Sequence, residues 1–144
     1  MENLAMSPEE VDEFLSGPLT GQLATNGPTI RPLWYQWEDN AFWIISGPWA
    51  KLHRRVQKDP SVAFCVDVGD FDNGLVKQVI AHGAVQIHDY DVERARRLLY
   101  RYLGPDEESW SDSPDATSIR RVHQCQRQLP LRPARSVHSY RPSP

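Results

Sequence analysis

Cysteine is scarce in this chain of 144 residues, which has only Cys65 and Cys125. The two lie far apart and neither belongs to a CxxC pair. Two free thiols are therefore expected, rather than a disulfide framework or a zinc site. No apolar run approaches the ~20 residues that span a bilayer. The first residues, MENLAMSPEE, lack the charged-then-apolar form of a secretory signal, and a cytoplasmic location is expected from that. A basic excess is missing too. The formal net charge is −3, which argues against a nucleic-acid-binding surface. Lysine is nearly absent, with Lys51, Lys58 and Lys77 set against 13 arginines. What remains is 40% hydrophobic and holds five tryptophans, enough for one packed domain.

"SPEEVDEFLSG" (7–17) opens with a capping-box pattern, Ser7 and Glu10 reaching for each other's backbone, with Pro8 at the first helical position. Val11, Phe14 and Leu15 share one face, so a short amphipathic helix is predicted. "GQLAT" (21–25) and "TIRPLWYQWED" (29–39) read as strands split by Asn26-Gly27-Pro28. Period two puts Ile30, Pro32, Trp34 and Gln36 on one face of the second, and Arg31, Leu33, Tyr35 and Trp37 on the other. Pro32 suits a sheet edge or a bulge. "AFWIIS" (41–46) and "SVAFCVDV" (61–68) are further strands, and "LVKQVIAHGAVQIH" (75–88) is a long one with a bulge or kink expected at Gly83. Asp91 caps a helix over "VERARRLLYRYL" (92–103), its Leu98, Leu99 and Tyr102 facing inward. "SIRRV" (118–122) could be one more strand. From 123 to 144 the chain is rich in Arg, Pro, Gln and Ser without periodicity. Composition therefore predicts a domain over 1–122 and a poorly packed tail over 123–144. Short turns between most strands imply antiparallel pairing, and a small closed or partly closed β-barrel with flanking helices is the natural solution.

"GPWAKLHRR" (47–55) carries the chemistry. A Gly-Pro bend and an indole precede Lys51, His53, Arg54 and Arg55, at the start of a predicted helix over 49–58. Cations at a helix start suit a phosphate monoester. A solvated helix face is the plain alternative. Arg31, within an apolar strand, needs an anionic partner if buried, and Glu38 or Asp67 could supply it. Trp34, Trp37 and Trp49 are candidate walls for a flat ring, or else barrel packing. His53, His82 and His88 lack the carboxylate spacing that would complete a metal site, and "DVGDFDNG" (67–74) lacks the register of a calcium loop.

The ordered set of the Arg-Pro strand, the Lys51 helix closing at Asp59-Pro60 and "KQV" at 77–79 resembles the flavin-binding split β-barrel proteins. These are the pyridoxamine 5′-phosphate oxidase-like proteins and their deazaflavin-binding relatives. The similarity runs from about Leu23 to about Gly104. It implies a mainly β, α+β fold: an antiparallel, Greek-key-like six-stranded split barrel with flanking helices. It also implies a homodimer with FMN between the subunits. Arg31 and Lys51 then match the phosphate ligands. Ile45 and Ser46 match positions whose backbone lies along the ring, and Gln78 matches a glutamine that hydrogen-bonds the cofactor. Trp34 and Trp49 would wall the ring. Gln36 stands where the oxidase often has lysine. One extra residue separates Lys51 from Pro60, which unsettles the register of His53–Arg55. The closing segment of the true oxidase, with its Trp and Arg, has no counterpart here, so oxidation of pyridoxamine phosphate itself is not expected. Three functions follow: an FMN-dependent oxidoreductase acting on a small organic substrate, a reductase using the deazaflavin coenzyme F-420, or a non-catalytic carrier of flavin or haem, with His53, His82 or His88 as the haem ligand.

Overall fold

The computed structural model describes residues 5–46, 50–112 and 127–140. The capping box forms as read. The Glu10 N–H donates to Ser7 Oγ at 3.2 Å and the Ser7 N–H to Glu10 Oε2 at 2.8 Å. Helix α1 (Pro8–Leu15) then buries Val11, Phe14 and Leu15. Strands β1 (Gly21–Thr25) and β2 (Thr29–Leu33) form a hairpin with Gly27 at φ +91°, a left-handed turn position open to glycine. Strands β3 (Gln36–Glu38) and β4 (Ala41–Ser46) form a second hairpin. Helix α2 (Leu52–Lys58) is shorter than its pattern suggested and buries Leu52 and Val56. Strands β5 (Ser61–Asp70) and β6 (Leu75–Val85) make a long hairpin, and β7 is His88–Asp89. Asp91 caps helix α3 (Val92–Leu103), accepting from the Glu93 and Arg94 N–H groups.

The last strand corrects the composition. Arg127–Tyr140, expected to be a loose tail, forms strand β8, pairing with β6 and β7 along one side and with β4 along the other. Its prolines fit because one of them, Pro133, pairs opposite Gly83, where the β6–β8 register shifts. The irregularity expected at Gly83 is thus present and accommodates Pro133, while Pro130 pairs opposite Trp43 of β4. The strand expected over 118–122, and Cys125, lie outside the described residues.

All pairings are antiparallel, in the order β2-β1-β5-β6-β8-β4-β3. Both ends of this path belong to one stretch of chain, since only Trp34 and Tyr35 separate β2 from β3. The sheet must therefore curl until its edges meet at that bend. No ladder joins β2 to β3 among the described residues, so the barrel is split rather than closed. With β2 and β3 taken as one bent strand and the two-residue β7 set aside, six strands build the wall. The interior holds Leu23, Tyr35, Phe42, Ile44, Phe64, Val66 and Val79, capped by α1 and by Leu52 and Val56 of α2. Gly21 lies flat on the Phe64 ring, where an added Cβ would come within 2.0 Å of a ring carbon.

Candidate cofactor site

The bend that splits the barrel is built by a residue far away in sequence. The Tyr102 hydroxyl of α3 accepts from the Tyr35 N–H at 3.1 Å and donates to the Leu19 carbonyl at 2.7 Å. It thereby satisfies backbone that has left the ladder. Burial holds both the Tyr102 and Tyr35 hydroxyls above the ordinary tyrosine range, so both stay neutral. Trp34, at the bend, stacks on the Tyr102 ring at 4.6 Å and 3°. One ring face of this expected wall is thus spent on α3. Trp34 and Ile45 both pack with Leu98, Leu99 and Trp110. Trp37 is committed as well, its indole N–H donating to Asp12 Oδ1 at 2.9 Å. Trp49 lies outside the described residues.

Arg31 does not take the carboxylates proposed for it. Glu38 belongs to α3, where Arg97 Nη2 and Nε donate to it at 2.9 and 3.1 Å and Arg94 Nε makes a shorter contact. Burial works against the Glu38 charge, but hydrogen bonds and the charges of Arg97 and Arg94 hold its carboxyl below the usual carboxylate range. Asp67 sits on the other face of the sheet, opposite Gln78. Arg31 is half-buried and has no ion pair with any described residue. Lys51, exposed at the start of α2, has none either, and the same holds for Arg54, Arg55 and Lys58.

Packing brings a few of the expected residues together. Ile45 and buried Ser46 end β4, and Trp34 packs with Ile45 on the Leu98, Leu99 and Trp110 cluster. Gln78 stands apart. Arg31 pairs with Leu23, which pairs with Phe64, so it shares the face of these core residues. Gln78 pairs with Asp67 on the opposite face of the sheet, three strands along from β2. It lies beside Cys65, whose thiol is pushed up by burial and then by the Asp67 charge, leaving it a poor nucleophile. One small molecule cannot touch Arg31 and Gln78 of the same chain.

A cleft of about 330 Å³ opens between the end of α1, β3 and α3, lined by Ser16, Gln36, Trp37, Arg97, Tyr100 and Arg101. Gln36 donates to Glu38 at 3.4 Å, while its buried Oε1 has no donor among the described residues. Arg101 closes the cleft floor by donating to the Leu15 and Gly17 carbonyls at the end of α1, its guanidinium 4.7 Å from the Tyr35 ring centre. The arginines at i and i+4 on α3 were the signal for this cleft in the sequence. Among the described residues, no group of three His, Cys, Asp or Glu side chains could hold a metal ion, and no helix is long and apolar enough to cross a membrane.

The chain matches a known family in its sequence profile and known structures in its fold. The family profile of pyridoxamine 5′-phosphate oxidase matches residues 7–124, and the chain belongs to this family. None of the curated proteins matches it. Among solved structures, a conserved hypothetical protein from Mycobacterium tuberculosis superposes with a TM-score of 0.71 at 21% identity, covering 98% of this chain and 88% of that one. A FAD-binding protein from Mesorhizobium loti gives 0.65 at 19% identity, covering 96% of this chain and 97% of the other. An F420 reductase gives 0.62 at 22% identity, with coverage of 89% and 96%. At these identities the likeness is one of fold.

Proposed function

We propose that the chain is an FMN-dependent oxidoreductase that holds its flavin between two copies of itself and acts on a small organic molecule in the cytoplasm. The observation that carries this reading is the pair Arg31 and Lys51. By resemblance both match residues that hold the family's phosphate, and neither has a carboxylate of the described chain to neutralise it. A half-buried guanidinium without a counter-charge is costly, and a phosphate would relieve that cost. Arg31 and Lys51 would bind the phosphate, the backbone at Ile45 and Ser46 would orient the ring, and bound flavin would supply hydride-transfer chemistry. The placement of Gln78 on the opposite sheet face supports a homodimer, with the glutamine reaching the partner's cofactor.

The test is the visible spectrum and fluorescence titration of the purified protein with FMN, for the parent and for Lys51→Ala. Binding in the parent that weakens in the variant, with unchanged melting, is the expected result. A folded parent that takes up no FMN overturns it. Coenzyme F-420 and haem are then the next ligands to titrate.

A further inference from the structure

We infer that the projecting end of the β5–β6 hairpin docks on helix α2 of a second copy of this chain. The inference rests on the two-copy reading above. Strand β1 covers β5 only as far as Val66, paired with Gly21. Among the described residues, strand β8 reaches along β6 as far as Gln78, paired with Tyr140. Beyond those points Asp67–Asp70 and Leu75–Lys77 pair with each other and with no other described strand. A free two-stranded hairpin is marginal in water. This one carries Phe71 at its tip, 85% exposed, and half-buried Val76 on the face it shares with Asp67. Such an arm gains most from a surface to lie on.

Charge decides which surface. The arm holds Asp67, Asp70 and Asp72 against Lys77 alone. Asp70 is spent on its turn, accepting from the Asn73 backbone and side chain, which leaves Asp67 and Asp72 exposed. Helix α2 offers the complement. Arg54 and Lys58, at i and i+4, form an exposed stripe with no ion pair to any described residue. Lys51 and Arg55 form the adjacent stripe and remain for the phosphate. The two-copy reading adds proximity: Gln78, at the base of the arm, would meet the partner's cofactor beside Lys51, the residue that opens α2. A two-fold axis makes the exchange reciprocal, each arm on the other's helix.

Sedimentation velocity on the full chain tests this, with FMN binding measured on the same samples. Asp67→Lys combined with Asp72→Lys is expected to weaken the dimer about tenfold or more, because it sets cations against cations. Arg54→Glu with Lys58→Glu does the same from the other side. Combining all four changes restores the dimer, a recovery that a folding defect would not show. Phe71→Ser weakens association without changing its salt dependence. A dimer indifferent to both charge reversals, or one weakened by them but not restored by the combination, overturns the docking and leaves the two-copy reading intact. A parent that binds FMN as a monomer overturns both.

Discussion

Helices α2 and α3 are both rich in cations, and they use them in opposite ways. On α3 every arginine is engaged by the chain itself. Arg94 and Arg97 share Glu38, and Arg94 also lies 3.5 Å from the Trp43 ring centre. Arg96 pairs with Glu93 and Glu107, and Arg101 holds the carbonyls that end α1. On α2 Lys51, Arg54, Arg55 and Lys58 meet no carboxylate of the described chain. Composition cannot separate the two helices, but partners can. A cation already neutralised fastens one element to another, whereas one left bare is available to an anion from outside. The first helix is where a ligand or a second copy is to be sought, and the second is part of the scaffold.

The contrast can be broken from either side. The largest effect is expected at Glu38. Glu38→Ala leaves two guanidiniums facing a vacated site and should cost about 3 kcal/mol of stability in a denaturant titration. Lys51→Ala should leave the melt unchanged and weaken FMN about thirtyfold by fluorescence, the reverse pattern. Tyr102→Phe keeps the stack on Trp34 but strips the bend of its hydroxyl, for about 1 kcal/mol in the same titration. Acid gives a subtler reading. Because the folded carboxyl of Glu38 titrates below its unfolded value of 4.5, its contribution is complete above about that pH and is lost as pH falls through the lowered value. The parent should therefore lose stability more steeply than Glu38→Gln between about pH 5 and pH 3. Arg54→Ala should move monomer stability least, within about 0.5 kcal/mol. A large loss there would erase the distinction between the helices.

Local signals were legible in the sequence. The capping box at Ser7, the Asp91 cap, the hairpin at Gly27 and the irregularity at Gly83 each depend on a few adjacent residues, and each is present. The two failures both depend on distant ones. Residues 127–140 read as a tail because their composition is poor for a strand, yet β6 and β4 present unpaired edges that dictate their conformation. The alternation from Ile30 to Trp37 reads as one strand, and only the Tyr102 hydroxyl, 67 residues on, reveals where it bends. For the site, Arg31 and Lys51 were legible as cations, but their lack of partners was not. It depends on where Glu38 and Asp67 go, which α3 and β6 decide.

The bend at Trp34 and Tyr35 also bears on solubility. A sheet normally ends in two rows of unsatisfied backbone groups, each a template for another chain. Here both terminal strands are halves of one short segment, five and three residues long. Pro32 removes an N–H from the longer of them. A neighbouring molecule seeking to add a strand finds neither length nor a full set of donors, so the curl that opens the barrel also guards it against edge-to-edge growth into fibres.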